Sequence, residues 1–274
     1  MKIILTLFFT LVESETYTTC NQISTEQVSF LLNRNSDINT ISRRNSVAID
    51  STTLKDIQKC AKEKTCLMEG KYKGRPIALK ILPLHNQYEK NLAVIREWEG
   101  VLALRNIPQT MRTIVCWEFK NKVVFGFERL KMNIEQALIE NVLVESNKKF
   151  AVALQVAQIL NIMHKVNITH GDIKPHNVMC EDSQCNKVKL IDFGHVAQNS
   201  NFRPIGTFEY NAPEVTNEGK NILQDETGDI WAFGCFVLRL ITKNIISMLH
   251  HYRKFHKQNQ FMGFGVWGLG FGVW

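Results

Sequence analysis

The amino-acid order predicts an α+β fold in two lobes: a small antiparallel sheet carrying one helix, followed by a mainly helical part. Two observations carry this. Between Thr65 and Leu130, short strand-like runs (CLMEG, KYKG, RPIALKIL, TIVCWEFK, KVVFGFERL) are separated by Gly, Pro or Asn-Lys breaks, as in hairpins. Beyond Leu130, KMNIEQALIENVL and KKFAVALQVAQILNIMHKV place apolar residues on a broad helical face. At 274 residues and 45% hydrophobic content, the chain is long enough for one large domain or two lobes around a real core.

The first segment, residues 1–14 (MKIILTLFFTLVES), sets an apolar run from Ile3 to Val12 behind one lysine. It has the build of a secretory signal or of an apolar element packed on the domain, and it is too short to span a bilayer. No transmembrane span is expected. Residues 15–48 are polar and rich in Ser, Thr and Asn, and read as a leader or linker.

Residues 49–130 are assigned to the first lobe. CLMEG and KYKG read as a hairpin that leads into RPIALKIL as a third strand. YEKNLAVIREWEGVLALRN reads as a helix ended by Pro108, and TIVCWEFK and KVVFGFERL as antiparallel strands joined at Asn121-Lys122. Residues 131–242 form the second lobe. Within it VMCEDSQCNKVKLIDFG reads as a hairpin with a polar turn and DETGDIWAFGCFVLRLITK as a buried helix. Residues 243–274 are basic and then turn into a glycine-aromatic tract, in which GFGVW recurs at Gly263 and Gly270 with no helix or strand period.

The net charge of +7 is partly that of the last segment, where Lys243, Arg253, Lys254 and Lys257 face no acidic residue. No basic run is interleaved with aromatics, so a nucleic-acid partner is not expected. Seven cysteines, an odd number, are scattered along the chain. Cys60/Cys66 and Cys180/Cys185 lack the spacing and histidine partners of a zinc site and read as buried or edge thiols. That points to a reducing, cytoplasmic setting, while the signal-like N-terminus leaves secretory entry open.

The chemistry concentrates in ITHGDIKPHNVM, residues 168–179. Asp172 can orient a hydroxyl and accept its proton, Lys174 can neutralise a phosphate, and the Asn177 amide oxygen suits Mg2+. DFG at Asp192 to Gly194 adds a second oxygen ligand. Such a set fits phosphoryl transfer, in which positioning and charge neutralisation do most of the catalysis.

IALK, HGDIKPHN, DFG and APE occur in the order and approximate spacing of the eukaryotic protein kinases, which the chain resembles over about residues 55 to 242. The resemblance implies a bilobal fold, ATP and Mg2+ as cofactors, and a protein substrate. It implies that Lys80 holds the ATP phosphates, that Glu97 pairs with it, with Glu99 as the fallback, and that Ala78 covers the adenine. Phe127 would be the gatekeeper, the backbone of Glu128 and Leu130 would bond the adenine, and Met179 would floor its pocket. Asp172 would be the general base, Lys174 would contact the transferring phosphate, and Asn177 and Asp192 would hold Mg2+. His170, Phe193 and Asp229 would be internal supports. Thr207 and Lys174 resemble the serine/threonine class.

Three departures accompany the resemblance. Cys60, Lys62 and Thr65 stand where the phosphate loop would carry glycines, which let a backbone approach phosphates closely. Gly171 replaces the arginine that would clamp a phosphorylated loop, so phosphorylation at Ser200 is not expected to be the main switch. Only 45 residues follow Asp229, fewer than the remaining large-lobe helices need, and Glu214 of APE would lack its arginine. The alternatives are therefore an inactive pseudokinase scaffold or a truncated fragment.

Overall fold

The computed structural model of the chain describes residues 51–60, 64–85, 91–118, 121–198, 202–204, 206–212, 221–223 and 225–242. The segments read as leader, linker and tail, and also Lys62, Ser200 and Glu214, lie outside them. Among the described residues, no helix is long and apolar enough to cross a membrane.

The first lobe holds an antiparallel sheet of β1 (Cys66–Tyr72), β2 (Arg75–Pro83), β3 (Thr113–Glu118) and β4 (Lys122–Glu128), in the order β1-β2-β4-β3. CLMEG and KYKG, read as two strands, form one. β1 runs through Gly70 and turns at Lys73-Gly74, whose φ values of 49° and 75° suit a two-residue hairpin turn. Gly70 marks a close approach instead of a turn: a Cβ there would lie 2.5 Å from the Thr53 side chain.

Thr53 belongs to α1 (Ser51–Lys59), a helix absent from the sequence reading. Its Ile57 is fully buried against Tyr72, Ile77, Leu79, Ile81, Val115 and Val124, and the Thr53 hydroxyl accepts the Lys71 N–H at 3.2 Å.

The cysteine reading is corrected. Cys60, just after α1, is disulfide-bonded to Cys66 at the start of β1, and Cys180 is bonded to Cys185. Sequence spacing alone does not reveal which thiols meet; the paired Cα atoms lie 6.1 and 4.8 Å apart. The reducing compartment inferred from scattered thiols loses that premise.

α2 (Leu92–Leu104) packs against β2 and buries Val94, Ile95, Trp98, Val101 and Leu104 together with Glu97. Its position is fixed by the buried Asn91 side chain, which accepts the His85 N–H and donates to the His85 carbonyl, both at 2.8 Å.

In the second lobe the short α3 (Ile134–Ile139) starts at Asn133, whose side chain accepts the Gln136 N–H at 2.8 Å. α4 (Ser146–His164) supplies Val152, Val156, Ile159, Leu160 and Met163 to the core, and α5 (Glu226–Ile241) adds Phe236 and Leu240. α5 is not buried all round as its apolar sequence predicts, since Ile230 and Ile241 on it are 56% and 63% exposed. β5 (Met132–Asn133), β7 (Val178–Cys180) and β8 (Val188–Leu190) form a small sheet, while β6 (Ile168–Thr169) pairs with β9 (Ala197–Gln198). β10 (Phe202–Pro204) pairs with β11 (Asn221–Leu223). A run of rings, Trp98, Phe125, Phe127 and Phe193, with successive centroids 6.1 to 6.3 Å apart, joins the lobes through one core.

Candidate active site

The alternation of β2 decides what faces the space between the lobes. Ile77, Leu79 and Ile81 are buried on one side, which puts Ala78 and Lys80 on the other. Lys80 Nζ donates to Glu97 Oε2 at 2.5 Å and to Asp192 Oδ1 at 2.6 Å. Burial works against the Lys80 charge, but the two carboxylates outweigh it and raise its pKa above the usual lysine value. For Asp192, burial pushes the pKa up and Lys80 pulls it down further, so the group stays ionised. Burial also lifts the Glu97 carboxyl, against the pull of Lys80. Of the two glutamates that the helix offers, Glu97 is the one that meets Lys80. Asp192 has a φ of 68°, a strained conformation for a non-glycine residue.

The loop after β6 is held from below. Asp229, on the first turn of α5 and 1% exposed, accepts the backbone N–H groups of His170 and Gly171, both at 2.8 Å, and lies 3.0 Å from His164 Nε2. The fully buried His170 ring donates from Nε2 to the Ile191 carbonyl at 3.0 Å and accepts the Asp172 N–H at Nδ1. Gly171 has a φ of 77°, where a Cβ is strained. Replacing it by Ala should lower the unfolding free energy by about 1 kcal/mol in urea titration, with the loss arising from the backbone and not from a lost contact.

Asp172, 4% exposed, is surrounded by donors. Its Oδ2 accepts from Lys174 Nζ at 2.7 Å and from the Asn177 amide at 2.8 Å, and its Oδ1 accepts the Thr207 N–H at 2.8 Å. Lys174 Nζ also donates to the Thr207 hydroxyl at 2.6 Å. Gly206 makes this seat possible: a Cβ there would stand 2.4 Å from the Gly171 carbonyl oxygen. Burial alone would raise the Asp172 pKa, but the Lys174 ammonium and the Thr207 hydroxyl and N–H hold it at about 2.

The folded pKa thus lies below the unfolded one, so Asp172 stabilises the fold above about pH 4 and loses that contribution as pH falls toward 2. The loss of stability between pH 6 and pH 2.5 should be smaller in Asp172→Asn than in the wild type, by about 2 kcal/mol in urea titrations.

At the rear of the site, Ala78 is paired with Phe127 and Ile77 with Glu128. The Glu128 N–H donates to the Arg112 carbonyl at 3.0 Å, and its carboxylate accepts from Lys189 Nζ at 2.6 Å. Lys131 N–H donates to the Cys180 carbonyl at 2.9 Å, which brings buried Leu130 beside the β7 strand that carries Met179. With both Asn177 amide donors taken by Asp172 at 2.8 Å, its amide oxygen remains for coordination. Asn177 and Asp192 thus offer an all-oxygen, two-residue set of the kind that suits Mg2+ when phosphates supply further ligands.

The sequence reading missed three residues. Leu67 is paired with Lys80 and is 75% exposed on the same face of the sheet; its signal was an apolar residue on the polar phase of the strand. Glu69, paired with Ala78, accepts from the Arg129 guanidinium at 2.7 and 2.9 Å. Gly206 had no sequence signal beyond its place before TFEY. In front of β1, where the glycine loop and its first strand would lie, stand α1 and the Cys60–Cys66 bond.

Residues 63–264 match the protein kinase domain family. Over 94 residues the chain is 38% identical to the zebrafish (Danio rerio) serine/threonine-protein kinase SBK1, covering 33% of this chain and 24% of that protein. It is 29% identical over 181 residues to a probable serine/threonine-protein kinase dyrk2 of Dictyostelium discoideum, covering 62% and 19% of the two chains. It is 29% identical over 176 residues to serine/threonine-protein kinase 36 of Pongo abelii, covering 62% and 13%. The matches span no more than about a quarter of these relatives' length. The family match crosses both lobes and takes in IALK, HGDIKPHN and DFG, whose polar residues meet between the lobes: the chain belongs to the protein kinase domain family.

Proposed function

We propose that the chain transfers the γ-phosphoryl group of ATP to serine or threonine hydroxyls of a protein substrate. The observation that carries this reading is a pair of polar clusters, Lys80 with Glu97 and Asp192, and Asp172 with Lys174, Asn177 and Thr207.

In this mechanism Lys80, kept charged, draws the ATP phosphates, and Glu97 fixes its direction. Ala78 and Leu67 cover the adenine, Met179 lies beneath it, and the backbone of Glu128 and Leu130 gives it hydrogen bonds. Asn177 and Asp192 would hold Mg2+, which would supply neutralising charge to the ATP phosphates. With a pKa of about 2, Asp172 is too weak a base to strip a hydroxyl beforehand. It orients the acceptor and takes its proton late, as the bond to phosphorus forms. Lys174, already between Asp172 and the Thr207 hydroxyl, neutralises the phosphoryl group in transit. Thr207 and the names of the relatives support serine or threonine as the acceptor.

We place the chain in the cytoplasm, where ATP is abundant; a reporter fused behind residues 1–20 that enters the secretory pathway overturns that placement. A second reading, a nucleotide-binding scaffold without turnover, is favoured by one observation: α1 and a disulfide in place of the glycine loop. The deciding experiment uses the full chain, with Mg-ATP binding followed by thermal shift and phosphate transfer to a generic basic protein. Transfer that Asp172→Asn abolishes supports the enzyme. Binding without transfer supports the scaffold, and absence of both, with poor solubility, points to a non-functional fragment.

A further inference from the structure

The connection leading into β1 carries Cys60, Lys62 and Thr65 where a phosphate loop would have glycines, and Cys60 is joined by sulfur to Cys66. The Cα atoms of Cys60 and Cys66 are 6.1 Å apart, close to the separation of residues that face each other across an antiparallel ladder. From Cys66 the chain passes directly to Leu67, the cross-strand partner of Lys80. The Cys60–Cys66 bond therefore ties the end of α1 to the start of the strand paired with that of the nucleotide lysine.

Accessibility separates this pair from the other described cysteines. Cys60 and Cys66 are both partly exposed, whereas Cys180 and Cys185 are 0% and 4% exposed and Cys116 and Cys235 are buried thiols. The first pair packs at the margin of the small-lobe core and keeps some solvent contact, whereas the second has almost none. Exposed disulfides are the labile ones, and in a reducing compartment a disulfide is more often a sensor than a staple.

We propose that Cys60 and Cys66 form a reversible oxidation site that sets the nucleotide affinity of the neighbouring cleft. The inference rests on the reading of Lys80 as the residue that holds ATP. In opening, one thiolate of a dithiol reductant attacks a sulfur of the pair, making a mixed disulfide and expelling the other cysteine as thiolate. The reductant's second thiol then displaces the remaining cysteine, and the reductant leaves as its own disulfide. Two electrons pass to the protein, and its two sulfurs end as thiols. Closure is the reverse exchange with an oxidised dithiol. The closed form ties α1 to β1 before ATP arrives, so less chain entropy is lost on binding; the open form loses that advantage.

The test uses the full chain equilibrated with either reduced or oxidised dithiothreitol. Free thiols are trapped with iodoacetamide and mapped by peptide mass, and the binding of a fluorescent ATP analogue with Mg2+ is titrated in each state. Cys60 and Cys66 should be protected in the oxidised sample and labelled in the reduced one, with Cys180 and Cys185 protected in both. Reduction should weaken nucleotide binding about tenfold, and Cys66→Ser should bind like the reduced protein in either buffer. Labelling of Cys60 and Cys66 after oxidation overturns the proposal, as does equal affinity in the two states. Equal affinity leaves the kinase reading intact, whereas no binding in either state removes the nucleotide site itself and the switch with it.

Discussion

Asp172→Asn is expected to lower kcat about a thousandfold while changing the KM for Mg-ATP by no more than about threefold. The substitution keeps the shape of the side chain and one acceptor oxygen, so the Thr207 N–H at 2.8 Å can keep its partner. It removes the charge that holds Lys174 and the oxygen that would receive the substrate proton. Because Lys80, Glu97 and Asp192 form a separate cluster, nucleotide binding should be nearly unaffected. Steady-state kinetics at varied ATP, with circular dichroism as a check on folding, measure both effects. A fall in kcat of less than about tenfold would show that Asp172 is not the acceptor-orienting group.

Asp229→Ala is expected to cost about 3 to 5 kcal/mol of unfolding free energy, read by urea denaturation. The carboxylate is 1% exposed and receives two backbone N–H groups and the His164 ring. Truncation leaves the N–H groups of His170 and Gly171 without their acceptor. Asp229→Asn should recover part of the loss, since one amide oxygen can still accept. Activity should fall more steeply than stability, because the same two N–H groups immediately precede Asp172.

Much of this arrangement was legible in the sequence, and the reason is local. IALK needed only strand alternation to put Lys80 opposite the buried Ile77, Leu79 and Ile81, and Glu97 lay on the buried face of a helix that the periodicity already outlined. The polar set of HGDIKPHN is contiguous, so short-range geometry brings Asp172, Lys174 and Asn177 together. What failed depended on contacts between distant segments. Gly70 looked like a turn but is a strand position made small by Thr53. α1 offers little sequence pattern, with Ile57 the buried apolar residue among its described side chains, and the disulfides required knowing which thiols meet. Gly206 acquires its meaning only when Gly171, 35 positions earlier in the chain, lies under it.

The two amides that point at Asp229 lie in neither helix nor strand, yet their acceptor is a buried carboxylate on a core helix. In hydrogen–deuterium exchange, His170 and Gly171 should therefore retain their protons as long as α5 retains its fold, since releasing them requires that helix to move away. The segment just ahead of the reacting carboxylate would then share the slow exchange of the large lobe's interior, while its neighbours on the surface exchange freely.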